Sequence, residues 1–248
     1  MRKIELLSEI LAKEFVEMMI LGNEQHKESL SESASYTNNG PQFSRSDSIH
    51  TSINSSFSKK LGYLVSKKRV VNYEHIRVYD HSTKHLYVLT RDHTYNNLLK
   101  RDKPNKQPHF LETYALSNRD LKKVNELPGQ IVMDLEQEKS VLPTENEYLK
   151  RKYLSEFIFG LEVEVVVIVT YSVYKNNIFR IKAIVPSANL KEDVLSEVDW
   201  TKYSVNYKSV EKDFTSDSKA KQLQDDVDKQ KTEIKQMLKL KPNVKSND

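Results

Sequence analysis

Val163–Val185, which reads VEVVVIVTYSVYKNNIFRIKAIV, decides the fold of this chain. Its first part, Val163–Tyr174, is rich in β-branched and aromatic residues, and its second, Ile178–Val185, has the same character; both are typical of strands. Asn176 lies in the short polar connection between them, where asparagine tolerates the left-handed backbone that a hairpin turn needs. The segment therefore predicts a β-hairpin at the centre of a sheet.

A second hairpin is predicted upstream, where three strand-like runs lie at Leu61–Ser66, Val70–Tyr79 and His85–Thr90. If one face of this hairpin is core and the other is solvated, its apolar residues align only when Tyr79 pairs with His85. Asp80–Lys84 then forms a five-residue loop. The alternative, a two-residue turn at Ser82–Thr83, would set Tyr79 opposite Leu86 and mix the two faces. We therefore predict the longer loop.

The segments around these strands carry helical periodicity, which defines the fold class and the organisation of the chain. We predict an α+β fold with an antiparallel sheet of about five strands, made from two hairpins and one further strand. Helices cover one face of the sheet, and a charged helix follows at the C-terminus. The predicted divisions are an N-terminal amphipathic helix (1–21), a polar linker (22–47), an α+β domain (48–205) and a charged tail with a coiled-coil-like helix (206–248).

The composition excludes several classes of protein. The 248 residues include no cysteine, which rules out disulfides, thiolate metal sites and cysteine nucleophiles. Only five glycines are present, and none forms a phosphate-binding loop. The apolar runs are too short, or too interrupted by charge, to be an export signal or a membrane span. We expect a cytoplasmic protein with no membrane partner and no cofactor.

The segment between Lys59 and Lys106 has an excess of eight positive charges, although the whole chain has a net charge of only +4. Tyrosines alternate with these cations, an arrangement that sheets use to bind single-stranded nucleic acid or RNA. Tyrosine is also an ordinary strand residue, and basic side chains commonly cover solvated faces. The candidate nucleic-acid contacts are Lys67, Lys68, Arg69, Arg77, Lys100 and Arg101.

Five of the seven histidines lie between His75 and His109. Imidazole can act as a metal ligand or a general base, so this cluster suggests a hydrolytic site. The spacings of known zinc motifs are absent, and we assign no metal ligands. Histidines on a solvated sheet face are the simpler explanation. The weak catalytic candidates are His75, His85, Asp80, Arg91 and His109.

The end of the chain contains two further features. Leu223, Val227, Ile234 and Met237 form a narrow apolar seam interrupted by Gln230, which predicts a homodimer through the C-terminal helix. The single tryptophan, Trp200, either closes the core or anchors a partner, and we favour the core.

A family resemblance rests on short motifs in the central region: VYDHSTKHLYVL (78–89), Arg91, PHFL (108–111), VPSANL (185–190) and the pair Asp199-Trp200. These motifs resemble an uncharacterised family, a domain of unknown function from Gram-positive bacteria and their mobile elements. The resemblance covers roughly 46–203 and leaves the N-terminal helix and the C-terminal tail outside. It implies a shared fold and a bacterial or prophage origin, but no mechanism.

Three functions follow, in order of preference. The first is a non-enzymatic interaction or regulatory protein of bacterial or prophage type, involved in phage–host conflict and acting on a protein partner. The second is a nucleic-acid-binding protein that uses the basic segment 59–106. The third is a metal-dependent hydrolase or nuclease that uses the His75–His109 cluster. The residues favour a protein that is not an enzyme.

Overall fold

The computed structural model describes residues 8–32, 41–70, 73–101, 108–121, 145–190 and 194–204. The predicted C-terminal helix and its seam lie outside these residues. Among the described helices, none combines the length and the apolar content needed to cross a bilayer. The elements in chain order are α1 (Glu9–Glu32), α2 (Pro41–Phe57), β1 (Tyr63–Val70), β2 (Tyr73–Asp80), β3 (His85–Arg91), α3 (Asp92–Leu99), α4 (Phe110–Ala115), α5 (Glu145–Phe157), β4 (Val165–Tyr174), β5 (Asn177–Val185) and β6 (Ser196–Asp199), with 3₁₀ turns at Leu116–Asn118 and Thr201–Tyr203.

The strands form one mixed sheet in the order β1-β2-β3-β4-β5-β6. Both predicted hairpins, β2–β3 and β4–β5, are present and antiparallel. The prediction of about five antiparallel strands is wrong in two respects. The strands β3 and β4 pair in parallel, because the long connection through α3, α4 and α5 returns the chain to the same end of the sheet. The sixth strand, β6, has only four residues and no apolar run that could announce it.

Helices cover both faces of the sheet, so the prediction of a one-sided cover is wrong. The α1–α2 face packs Phe15, Met19 and Ile53 against alternate residues of the central strands such as Val167. The α3–α5 face packs Leu98, Phe110 and Phe157 against the other set, which includes Val166 and Ile168. The strand β4 is accordingly buried at every position from Val165 to Tyr171, as expected for a central strand with helices on both sides.

The two-sided cover also explains the register of the β2–β3 hairpin. Tyr79 pairs with Leu86 and Asp80 with His85, which leaves a four-residue turn ending at Lys84. The predicted pairing of Tyr79 with His85 is therefore wrong. It assumed a solvated face, but Tyr79 and Leu86 both belong to the core on the α3–α5 face. Lys84 has the positive φ of 56° that closes the turn.

Helix α1 continues to Glu32 and α2 begins at Pro41, so most of the polar segment 22–47 is helical and not a linker. Residues 33–40 lie outside the description, and the division of the chain into domains stays a prediction. Gly22 of α1 packs directly against the backbone of α2. A Cβ atom there would lie 2.6 Å from the Cα of Ile49 and 2.8 Å from the carbonyl oxygen of Ser48. Only glycine allows this contact.

Replacing Gly22 by alanine should therefore separate the two helices locally. We expect Gly22→Ala to lower the free energy of unfolding by about 1–3 kcal/mol, the usual cost of overpacking, although alanine favours a helix. Urea denaturation followed by circular dichroism would measure this loss. Gln25→Ala, at an exposed position three residues later in α1, is the matched control and should change stability by less than about 0.5 kcal/mol. Equal stability of the two variants would contradict the close packing.

Candidate anion-binding site

The parallel pairing of β3 with β4 ends where Arg91, the last residue of β3, pairs with Tyr171. Both side chains point to the α1–α2 face, where they meet Ser46 of α2. The Nη2 of Arg91 donates a hydrogen bond to the Oγ of Ser46 at 3.1 Å, and this Oγ lies 3.1 Å from the hydroxyl of Tyr171. The buried serine therefore fixes the guanidinium of Arg91 against the end of the parallel strand pair.

Arg45, which precedes this serine in α2, brings a second guanidinium to the same place. Its Nη2 donates to the Oδ1 of Asn176 in the β4–β5 turn at 2.8 Å. The Nδ2 of Asn23 in α1 donates to the backbone carbonyl of Asn176 at 2.9 Å and holds that turn in position. Within the described part of the chain, the Nε of Arg45 is buried without a hydrogen-bond partner. We call Arg45, Ser46, Arg91, Tyr171 and His26 the arginine site.

The charge of the arginine site is positive and uncompensated. Over the described ranges, neither Arg45 nor Arg91 forms an ion pair with a carboxylate. Partial burial, followed by the nearby positive charge of Arg91, lowers the pKa of Arg45. Two neighbouring guanidinium groups without an acidic partner repel each other, and an anion bound between them would remove this repulsion.

The histidines near the arginines add hydrogen-bonding groups and no charge at neutral pH. His26 is buried, its Nδ1 lies 3.2 Å from the Oγ of Ser44, and its Nε2 has no partner among the described residues. Burial, then Arg45 and Arg91, lower the pKa of His26. Burial also lowers the pKa of His50 to about 4, with a smaller effect of Arg91 in the same direction and an opposing effect of Asp47. The positive charge therefore comes from the arginines.

The edge strand β1 extends the positive surface at this end of the sheet. Tyr63 and Val65 pack on the core of the α1–α2 face, so the alternate residues Lys67 and Arg69 point to the same face, where both are exposed. Strands β1 and β3 run in the same direction, because each is antiparallel to β2. The end of β1 with Lys67 and Arg69 thus lies at the same end of the sheet as Arg91.

The structure does not bring the five catalytic candidates together. His75 and His109 both contact Phe110 on the α3–α5 face, with ring centroids 4.3 and 4.5 Å away. Asp80 accepts hydrogen bonds from the backbone and hydroxyl of Ser82 in the β2–β3 turn. The remaining two lie at opposite ends of β3: His85 at its start, with its Nδ1 3.4 Å from the hydroxyl of Tyr87, and Arg91 at the arginine site. Throughout the described ranges, no three His, Asp or Glu side chains are placed to hold a metal ion.

The six predicted nucleic-acid contacts are split between different surfaces. Lys67 and Arg69 are exposed beside the arginine site, and Lys68 and Arg77 point to the opposite face. Lys100 and Arg101 follow α3. Three of the tyrosines that alternate with these cations in the sequence, Tyr79 and Tyr87 of the sheet and Tyr95 of α3, are buried in the core and do not form the expected stacking surface. Tyr63 is half-buried against Phe57.

Sequence reasoning missed His26, Arg45 and Ser46 because all three fall in the segment interpreted as a linker. A signal was present for α2: Ile49, Ile53 and Phe57 define a helical stripe, and Ser46 lies one turn before Ile49 on that stripe. No pattern in α1 predicts that His26 is buried, since the residues next to it in the sequence are polar.

Comparisons with known proteins identify a family but no activity. A family model described as "Family of unknown function (DUF5986)" matches residues 8–248. This confirms the expected likeness to an uncharacterised family, but the match includes α1 and the C-terminal tail, which we had placed outside it. No curated protein and no solved structure matches the chain.

Proposed function

As the chain belongs to DUF5986, a family of unknown function, we propose from its own residues that it binds nucleic acid by contacts to the phosphate backbone. The observation that carries this proposal is that Arg45 and Arg91 lie close together and that, in the described structure, neither has a carboxylate partner. Guanidinium groups bind phosphate oxygens with two parallel hydrogen bonds, and a buried serine already fixes the orientation of Arg91.

The extent of the positive surface favours a polymer over a small anion. Lys67 and Arg69 on β1 are two strand intervals, roughly 10 Å, from Arg91 on β3. A single phosphate group cannot contact both ends of this surface. The backbone of a nucleic acid carries a charge about every 3.4 Å along each strand, so a few nucleotides would reach from the arginine site to the edge of the sheet.

The same geometry indicates how sequence-specific the binding should be. Tyr79, Tyr87 and Tyr95 are buried, so these three rings are not available to stack on bases. Contacts to phosphates position a protein on nucleic acid and carry no sequence information. We therefore propose a sequence-tolerant binding protein with no catalytic step. This role agrees with the regulatory function, the bacterial or prophage origin and the cytoplasmic location expected from the sequence, all of which stay proposals.

Fluorescence anisotropy with labelled single-stranded DNA, duplex DNA and RNA, at several salt concentrations, would test this function. Binding should weaken steeply with salt, because each phosphate contact releases condensed counterions. The double variant Arg45→Gln and Arg91→Gln should bind about tenfold more weakly to every probe, and its salt slope should fall by about two.

The matched control removes the same charge elsewhere. Lys13 and Lys202 are exposed near the start of α1 and the turn after β6, so the double variant Lys13→Gln and Lys202→Gln should keep nearly all of the affinity. An equal loss in both double variants would show that only net charge matters and would contradict the site. Absence of binding by the native protein at low salt would remove the proposed function.

A further inference from the structure

Arg77 of β2 is a buried cation on the α3–α5 face of the sheet. Only 7% of its surface is exposed. Its Nε donates to the Oγ of Ser66 at 2.7 Å, and its Nη1 lies 3.5 Å from the hydroxyl of Tyr114. Across the described residues it forms no ion pair. Burying a guanidinium without a counter-charge costs several kcal/mol, so its retention here indicates that an anion completes the site.

The register of the edge hairpin places further donors around this arginine. Ser66 pairs with Arg77 and Lys68 with His75, so these four side chains share the α3–α5 face of β1 and β2. We call them the edge patch. Lys68 is half-buried and has no ion-pair partner in the described chain. Burial first, with added effects of Arg77 and Lys68 among neighbouring charges, lowers the pKa of His75 to about 3, so its ring is neutral at physiological pH.

Helix α4 packs against His75 and Arg77 of the edge patch. The ring of His75 stacks on Phe110 with centroids 4.3 Å apart, and its Nε2 lies 3.2 Å from the hydroxyl of Tyr114. Burial raises the pKa of Tyr114, so its hydroxyl stays protonated and can accept from Arg77 while donating to His75. These contacts fix Arg77 in one orientation, and within the described ranges its Nη2 and the hydroxyl proton of Ser66 donate to no protein group.

We propose that the edge patch binds one phosphate group, with Arg77 and Lys68 as charged donors and the hydroxyl of Ser66 as a neutral donor. Two positive charges match a phosphate dianion, whereas a single carboxylate would leave one of them uncompensated. The patch has two cationic side chains and lies on the opposite face of the sheet from the arginine site, so it suits a single phosphate group and not a continuous backbone. The inference is independent of nucleic-acid binding by the arginine site.

Thermal unfolding in the presence of inorganic phosphate and of a nucleoside monophosphate would test the edge patch. Phosphate at roughly ten times its dissociation constant should raise the Tm of the native protein by about 3–5 °C. Phosphate also stabilises proteins in general by exclusion from their surfaces, so the decisive quantity is the difference between the native protein and the variants.

Two variants and one control supply this difference. Arg77→Met should fold at least as stably as the native protein without phosphate, because an unpaired buried charge is removed, and should lose the specific rise in Tm. Lys68→Met, at a half-buried edge position, should lose most of the rise. Lys59→Met, at an exposed position before β1, should keep it. An equal rise in all four proteins would overturn the proposal.

A final comparison distinguishes the source of the phosphate. A 5′-phosphorylated oligonucleotide that binds more tightly than its 5′-hydroxyl counterpart, with the difference abolished by Arg77→Met, would assign the patch to the end of a nucleic acid. A rise in Tm with inorganic phosphate or the monophosphate, without such a difference, would assign it to a small molecule. If neither effect is seen, Arg77 is structural and the proposal is wrong.

Discussion

Between pH 6.5 and pH 4.5 the protein should lose about 5 kcal/mol of its free energy of unfolding, with roughly half of the loss caused by His75. Its ring is completely buried, and its pKa lies near 3. Burial holds the pKa values of His50 and His109 at about 4, with smaller opposing effects of the neighbouring carboxylates. All three rings are therefore neutral in the folded protein and take up a proton on unfolding below pH 6.5.

The direction of the effect follows from this difference in proton uptake. A group whose folded pKa is depressed in this way contributes its full stability above the unfolded value of about 6.5, and that stability is lost as the pH falls toward the folded value. Each such ring removes about 1.4 kcal/mol per pH unit in this window. We count His50 and His109 at a reduced value because water reaches part of both rings. Asp80, whose carboxyl pKa is lowered, acts only at more acidic pH.

Urea midpoints at pH 6.5, 5.5 and 4.5 would measure the loss. Glutamine in His75→Gln can still form a hydrogen bond with the hydroxyl of Tyr114 but cannot titrate. The free energy of unfolding of this variant should therefore decrease less steeply as the pH falls, with a slope about 1.4 kcal/mol per pH unit smaller than that of the native protein. His81 is exposed in the β2–β3 turn, and His81→Gln should follow the native protein. Parallel pH profiles for His75→Gln and the native protein would contradict the assignment.

The central hairpin could be predicted because its signal is local. The run from Val165 to Tyr171 is apolar at every position except Thr170, and Asn176 has the positive φ, 64°, that asparagine in the polar connection suggested. Lys175 also has a positive φ, 45°, which was not predicted. Strand pairing within a hairpin and the conformation of its turn depend on residues that are close in sequence, so both can be predicted from the local pattern. The parallel pairing of β3 with β4 depends on a connection of more than seventy residues and has no such local signal.

The second covered face of the sheet could not be predicted because its residues look like solvated ones. His75, Arg77 and Tyr79 are polar side chains at alternate positions of a strand, which is the usual pattern of an exposed face. They are buried because α4 brings Phe110 and Tyr114 over them and their polar atoms find partners such as the hydroxyls of Ser66 and Tyr114. Hydrogen bonds of this kind lower the cost of burying polar groups, although the charge of Arg77 is not neutralised by them, and only the tertiary structure shows them.

The arginine site is invisible in the sequence for a related reason. His26, Arg45, Arg91 and Tyr171 come from four elements and are spread over more than half of the chain. Sequence analysis picked out Arg91 as a neighbour of the five clustered histidines and as part of a family motif, and those five histidines lie elsewhere in the structure. A site assembled from one or two residues of each of four elements has no overall spacing that a motif could encode.

Replacing Trp200 by alanine should lower the free energy of unfolding by about 3–5 kcal/mol, the expected cost of a large cavity in a core. Trp200 is 1% exposed, and its ring lies 5.7 Å from that of Phe15 in α1 and 6.4 Å from that of Tyr87 in β3. Its backbone N–H also donates to the carbonyl of Ile181 at 2.9 Å. Trp200 therefore closes the core on the α1–α2 face, as expected from the sequence.

Circular dichroism in urea would measure this loss, since the variant lacks the only tryptophan and cannot be followed by its fluorescence. Trp200→Phe, which keeps an aromatic ring against Phe15, should lose less than half as much. Phe159 is 87% exposed, so Phe159→Ala removes a large aromatic side chain without opening a cavity and should change stability by less than about 0.5 kcal/mol. If Trp200→Ala lowered the free energy of unfolding as little as Phe159→Ala does, the aromatic contact of Trp200 would not be what holds α1 on the sheet. The α1 residues around the arginine site would then not be held in place, because His26 and Asn23 depend on the packing of this helix for their positions.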